Sequence, residues 1–283
     1  MDHHAAGCSL RAQFEGQGFV GPIRAVSEAE AAAMALETKT ALKEGNYVPA
    51  ARRNRHFDLT THNALATNQI LIDTLREIYS EDLVIWRSHV FSGRAGSGLG
   101  WHRDFFHSFL DDPEDHLSVH FAITPAPEGN CVMVVPGSHK WSDTQITAQG
   151  FGLIGETENT GYGTPYYIRH SNKAGHNSIT LAPGEFFIFH PALLHASVNR
   201  IGAKSSGTGF IVAAKKWARG VQRILMQVGL TDGGSRLAVG LRICRPQNRV
   251  SDVAFGEWPG TDDTRALISG QWRGEEASFV DWT

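Results

Sequence analysis

The chain has 283 residues, 41% hydrophobic and 19% charged, with a formal net charge of −3. That is the composition of an ordinary globular protein. It carries no basic tract suited to a nucleic acid and no apolar run approaching the 18 residues of a membrane span. The start, Met1-Asp2-His3-His4, lacks a basic region followed by an apolar one, so no signal peptide is expected. Cys8, Cys131 and Cys244 are few, odd in number and far apart, which fits free thiols in a reducing cytoplasm better than a disulfide framework.

Residues 14–26 read as a short extended segment, with Gly16, Gly18 and Gly21 opposing a helix. Ser27-Glu28-Ala29-Glu30 is a capping box, because the Ser hydroxyl can accept from a free N–H while Glu30 reaches back. An Ala-rich helix should follow to about Lys43, stopped at Gly45. Residues 51–58 are polar and irregular, and their three arginines read as a solvated loop or, less readily, as the entrance for an acidic substrate. A second helix is predicted over 68–79, with Leu71, Leu75 and Ile78 on one face.

From Asp82 the pattern changes to strands, predicted over 83–91, 116–124, 130–135, 177–181, 185–189 and 237–244. Pro125, Pro127, Gly129, Pro136-Gly137 and Pro183-Gly184 punctuate them. Many short strands at this spacing suggest a mainly β fold with flanking helices, a jelly roll (double-stranded β-helix, cupin-like). One domain over 1–283 is expected: helices at about 27–80, then a core at about 82–250. Residues 201–234 would interrupt that core as an insertion or lid.

The chemistry concentrates at Gly100-Trp101-His102-Arg103-Asp104-Phe105-Phe106. Two imidazoles and one carboxylate on one face of an ion form the facial triad of non-haem Fe(II) oxygenases. His102 and Asp104 would give two ligands and a distant histidine, His195, the third. The pair alone decides little. With 14 His and 14 Asp in the chain, His-x-Asp is expected about 0.7 times by chance, and it recurs at His56-Phe57-Asp58. That second copy reads as structural or substrate-facing.

Context comes from an ordered set of segments. These are residues 86–91 (Trp-Arg-Ser-His-Val-Phe), 100–104, 135–140 (Val-Pro-Gly-Ser-His-Lys), 183–189, 195–199, 235–242 and a tail around 265–270. Together they resemble the phytanoyl-CoA dioxygenase family of Fe(II)/2-oxoglutarate oxygenases, near its natural-product hydroxylases and halogenases. The resemblance implies Fe(II), 2-oxoglutarate and O2 as cofactor and co-substrates. It implies His102, Asp104 and His195 as catalytic metal ligands, and Arg236 as the clamp on the far carboxylate of 2-oxoglutarate. Ser197 would donate to that carboxylate, and His89 would lie in the cofactor site. The gap between His195 and Arg236 is long for the family, which leaves Arg200, Arg219, Arg223 and Arg242 as alternative clamps. Halogenases of this branch carry Ala or Gly where this chain has Asp104, so a hydroxylase is expected rather than a halogenase.

Other residues have plainer readings. His107, His116 and His120 fit surface or strand positions, and His139 fits a turn. Phe106, His190 and Trp217 are candidates to line a substrate pocket. The expected substrate is a small polar molecule such as an amino acid or secondary metabolite, oxidised at an unactivated C–H with release of succinate and CO2. A cytoplasmic monomer or homodimer without nucleic-acid or membrane partners is expected. The rival readings are a cupin-like metalloenzyme independent of 2-oxoglutarate, and a non-enzymatic binder on the same scaffold.

Overall fold

The computed structural model describes residues 9–46, 49–93, 98–106, 109–156, 165–197, 236–250, 266–269 and 280–281, and among them helices predominate before residue 80 and strands after it. The first helix, α1 (Leu10–Gln17), corrects the extended reading of residues 14–17. Ser9 caps it by accepting from the Ala12 N–H, and Gly18, at φ 82°, ends it in the left-handed region open to glycine. Gly16 is carried inside the helix, and extended backbone begins only at Phe19.

Helix α2 (Glu28–Glu44) has the expected reciprocal capping box between Ser27 and Glu30 and ends at Gly45. A short 3-10 turn (Pro49–Arg52) leads to α3 (Thr60–Ala66), which no local pattern announced. Its first N–H groups are satisfied at a distance: Glu37 on α2 accepts from Thr60 N at 3.0 Å and Thr61 N at 2.9 Å. Helix α4 (Gln69–Ile78) starts at Asn68, whose side chain accepts from Ile70 N and Leu71 N. It buries Leu71, Leu75 and Ile78 as its spacing predicted.

Thirteen strands follow in chain order among the described residues. They are β1 (Phe19–Arg24), β2 (Leu83–Gly93), β3 (Trp101–His102), β4 (His116–Ala122), β5 (Val132–Val134), β6 (Phe151–Glu156) and β7 (Pro165–Arg169). Then come β8 (Asn177–Ile179), β9 (Glu185–Phe189), β10 (His195–Ser197), β11 (Arg236–Cys244), β12 (Ala266–Ser269) and β13 (Val280–Asp281). Helix α5 (Asp143–Ala148) sits between β5 and β6. A seven-stranded sheet runs β1-β9-β4-β11-β2-β12-β13 and a six-stranded sheet runs β6-β7-β3-β10-β5-β8. All pairings are antiparallel except β12 with β13. The result is the jelly roll that the strand spacing suggested.

The large sheet is covered on both faces. Leu237, Val239, Leu241 and Ile243 of β11 join Val119 and Phe121 of β4 and the apolar sides of α1, α2 and α4 in one core. The intervening residues face the small sheet, where Phe19, Phe187 and Phe189 meet Val132, Val134 and Ile179. Period-2 alternation is therefore an alternation between two interiors. On β11 the second set is Arg236, Ala238, Gly240 and Arg242, so two arginines point into the sandwich. The register between β2 and β11 steps from Arg87↔Arg242 to Ile85↔Ile243, a bulge at Trp86. Beyond it Arg87, His89 and Phe91 share the sandwich-facing side with Arg242, Gly240 and Ala238. Among the described residues no helix is long and apolar enough to cross a membrane.

Candidate metal centre

His102 lies on β3 and His195 on β10, directly opposite one another in the small sheet. Cross-strand partners stand side by side, and the two ring centroids are 4.1 Å apart. Asp104 follows two residues after His102, its backbone N–H donating to Pro191 O at 2.8 Å. Its Oδ1 is 3.6 Å from Nε2 of each histidine. Ligand atoms of His102, Asp104 and His195 all lie within 4.8 Å of one another, and all three side chains are buried.

The histidines are set to present Nε2 as a ligand. His102 Nδ1 lies 2.7 Å from Gly100 O, and His195 Nδ1 lies 2.9 Å from Leu193 O. A carbonyl only accepts, so the proton sits on Nδ1 and the Nε2 lone pair faces the centre. Burial, with the neighbouring His102 adding to it and Asp104 opposing, pushes the His195 pKa down to about 3. Burial also depresses His102, against Asp104. Burial alone would raise Asp104, but Arg242 and then the two histidines outweigh it and hold the carboxyl well below the usual range. Two neutral imidazoles and one carboxylate at this separation suit a divalent ion.

Asp104 Oδ2 is held from behind. Ser118 Oγ donates to it at 3.0 Å, and Arg242 Nη2 pairs with it at 2.8 Å. Arg242 was an alternative clamp from its strand face, but its guanidinium is engaged with Asp104 and lies 5.4 Å from the Phe106 ring centre. Tyr166, the β7 partner of His102, stacks on that imidazole at 5.2 Å. Neither Ser118 nor Tyr166 stood out in the sequence. Ser118 sits on β4, a uniformly buried strand in which every second side chain faces the site.

Arg236 is buried in the sandwich. Its Nη1 donates to Asn130 O at 3.0 Å, and among the described residues its Nε has no hydrogen-bond partner. A buried guanidinium held by one carbonyl is suited to accept a carboxylate through its remaining donors. His120, across β11 at Gly240, is also buried, and among the described residues its Nε2 has no hydrogen-bond partner. Burial, then Arg236, Arg242 and His195, keep it neutral. Along β4 it stands two residues from Ser118, which reaches Asp104, toward the Arg236 end of β11. The earlier alternatives for His116 and His120 resolve to strand positions, wholly inside β4.

The other candidates are distributed as follows. Ser197 shares the His195 side of β10; its Oγ accepts from Leu99 N at 2.8 Å and retains its own proton to donate. His89 faces the sandwich from β2, its ring 4.9 Å from Phe91. Phe106 packs with Trp86, Phe109 and Cys244 under Arg87 and Arg242. His190 is outside the ligand group: its Nδ1 accepts from Ala192 N at 3.0 Å and its ring meets Phe14 and His139. The 201–234 insertion, Trp217, Arg200, Arg219 and Arg223 lie outside the described residues. His56 is buried, with its Nδ1 2.6 Å from Ser88 Oγ. The 51–58 loop is not simply solvated, since Asn54 and His56 are buried and Arg52, Arg53 and Arg55 are half-buried. The Pro136-Gly137-Ser138-His139 turn serves the site from behind. Ser138 Oγ accepts from Leu194 N at 2.9 Å, next to His195.

A jelly roll holding two histidines and an aspartate in this arrangement belongs to the class of the 2-His-1-carboxylate centre. The family model for phytanoyl-CoA dioxygenase (PhyH) matches residues 14–205, and the chain belongs to that family. No curated protein sequence matches it. Among solved structures it is similar to the apo non-heme monooxygenase ThoJ, with a TM-score of 0.64 and 20% identity over 96% of this chain and 87% of that one. It is similar to CytC3 with Fe(II) and alpha-ketoglutarate, with a TM-score of 0.57 and 19% identity over 92% and 87%. It is also similar to EctD from S. alaskensis with 2-oxoglutarate and 5-hydroxyectoine, with a TM-score of 0.59 and 16% identity over 89% and 80%. At these identities the likeness is one of fold.

Proposed function

We propose that this protein is an Fe(II)- and 2-oxoglutarate-dependent dioxygenase that hydroxylates, or otherwise oxidises, an unactivated C–H bond of a small polar molecule. The observation that carries this reading is the convergence of His102 Nε2, His195 Nε2 and Asp104 Oδ1, each with its other polar atom held by the protein. Those three atoms would hold the iron. Arg236 would take the far carboxylate of 2-oxoglutarate, with Ser197 as a second donor. The bound metal, with 2-oxoglutarate and O2, supplies an oxidant able to attack an unactivated C–H bond, releasing succinate and CO2.

The chain's part is to bind, orient and exclude. The Gly100 and Leu193 carbonyls fix both imidazole tautomers, so no proton competes for Nε2. Ser118 and Arg242 fix the Asp104 plane and keep it ionised. Phe187 and Phe189 wall the site with apolar surface, Phe189 standing 4.7 Å from the His195 ring. Asp104 also supports hydroxylation over halogenation, because its carboxylate fills the position that related halogenases leave to a small side chain. Structurally similar proteins in complex with Fe(II) and alpha-ketoglutarate, or with 2-oxoglutarate and 5-hydroxyectoine, support the cofactors. The test is succinate formation from 2-oxoglutarate. It should require Fe(II) and O2 and disappear in Asp104→Ala. Full turnover in that variant would contradict the ligand assignment.

A further inference from the structure

Strand β7 reverses the exposure expected of a sandwich. Its alternation puts Tyr166 and Ile168 on the same side as His102, and Pro165 and Tyr167 on the outer side. The outer pair is buried, Tyr167 in one cluster with Phe151, Leu194 and Ile146 of α5. The inner pair is the more open: Tyr166 is half-buried and Ile168 is 49% exposed. His170, two residues on, is also exposed. It lies over Gly152, the register partner of Ile168, where an added Cβ would stand 2.6 Å from His170 Nε2 and 3.6 Å from Ile168 Cγ2. Elsewhere on the inner face of the small sheet, Val132, Val134 and Ile179 are covered by the large sheet. The sandwich is therefore closed at β5 and β8 and open along β7.

The opening starts at the metal-ligand group. Tyr166 is the register partner of His102 and stacks on its ring, with centroids 5.2 Å apart and planes 19° from parallel. Burial, then the Asp104 charge, raise the Tyr166 pKa, so the phenol keeps its proton. Among the described residues its hydroxyl has no hydrogen-bond partner. An exposed isoleucine alone needs no explanation. One on the interior side of a sheet, in line with a metal-ligand histidine and a phenol hydroxyl, makes an apolar surface with one polar handle. Sites that orient small molecules combine apolar lining with a few placed polar groups in this way. The charge acting on the phenol is that of Asp104, which opposes an anionic partner there.

We propose that the substrate lies along the inner face of β7, with a hydrocarbon part against Ile168 and a neutral hydroxyl or carbonyl oxygen accepting from the Tyr166 hydroxyl. Its class is then a small molecule whose polar group is carried on an apolar body. Tyr166 acts as a positioning and specificity residue: by holding that oxygen beside His102 it sets which C–H bond of the body faces the metal ligands. The inference deepens the oxygenase reading and rests on it for the bond that is oxidised; the binding surface itself stands on β7.

The test titrates the anaerobic protein, supplied with Fe(II) and 2-oxoglutarate, by calorimetry with three probes: 2-indanol (apolar body and one hydroxyl), indane (the body alone) and glycerol (hydroxyls without the body). The expected result is saturable binding of 2-indanol, binding of indane weaker by about fivefold for the one hydrogen bond lost, and no saturable binding of glycerol. Tyr166→Phe should bring 2-indanol to the affinity of indane and leave indane where it was, which a merely structural role for the hydroxyl would not do. Ile168→Asn should weaken both by about fivefold through lost apolar contact. A preference for 2-indanol that survives Tyr166→Phe, binding indifferent to Ile168→Asn, glycerol binding as tight as that of 2-indanol, or no saturable 2-indanol binding would overturn the proposal. The visible absorption of the bound cofactors separates the two readings. Probe binding with the expected pattern but without that band would count against the oxygenase reading alone; a normal band without the pattern would overturn this site alone.

Discussion

Asp104 divides its two oxygens between two tasks: Oδ1 faces the histidines, while Oδ2 is tied to Ser118 and Arg242. Groups that orient a metal ligand from behind typically contribute 10–100-fold in metal affinity. Ser118→Ala and Arg242→Leu should therefore each weaken Fe(II) binding by about one to two orders of magnitude. A competition titration with a metal indicator reads this directly, and unchanged affinity in both variants would show that Asp104 needs neither partner.

A second residue makes a claim about pH. His62 on α3 is buried, and its Nε2 lies 2.8 Å from Thr38 Oγ1, which itself donates to Met34 O. Thr38 thus accepts from a neutral ring. Burial, against Glu37 and with Arg55, lowers the His62 pKa from 6.5 to about 4. The unfolded chain takes up this proton first as pH falls. Stability from His62 is therefore intact above about pH 6.5 and is lost progressively down to about pH 4. Going from pH 7 to pH 5 should cost about 2 kcal/mol at this site. Denaturant titrations of the wild type and His62→Gln at both pH values check it: the variant should lose less on acidification, and equal losses would refute the assignment.

At the level of elements, several local signals were legible in the sequence. Ser27 and Glu30 specify the start of α2, Asn68 that of α4, and apolar runs at residues 185–189 and 237–244 mark β9 and β11. Two local caps, Ser9 before α1 and the Ser142–Gln145 box before α5, were passed over, and other missed elements depend on distant partners. Helix α3 begins where Glu37 satisfies its N–H groups, and β3 and β10 are two and three residues long, extended because they lie between neighbours. Turns were legible where glycine was obligatory. Gly184 sits at φ +86°, and a Cβ there would stand 2.3 Å from Val26 O. Gly184→Ala should destabilise the fold by roughly 2–4 kcal/mol through strain and overlap together. Thermal unfolding measures it; a loss under about 0.5 kcal/mol would mean that the turn before β9 relaxes freely.

Across the whole molecule, the two sheets bring together what the chain keeps apart. His102, Asp104 and His195 could be picked out together through the family resemblance, yet only the pairing of β3 with β10 makes them neighbours. The sequence could also place Arg236 and Arg242 on one face of a strand. It could not tell that Arg242 turns to Asp104 while Arg236 stays deep beside Asn130, because that depends on β4 and β5. The arginines at 51–58 read as a loop until the bridge between Arg53 and His89 put them against the large sheet.

One centre is proposed to bind both Fe(II) and 2-oxoglutarate. The measurement that reaches it most directly is an anaerobic titration of metal-free protein with Fe(II) and 2-oxoglutarate, following the visible metal-to-ligand charge-transfer band. The expected result is a band that is lost in His102→Ala and weakened in Arg236→Ala. Tight iron binding with no band at saturating 2-oxoglutarate would contradict it, leaving a metal centre whose chemistry does not use that co-substrate.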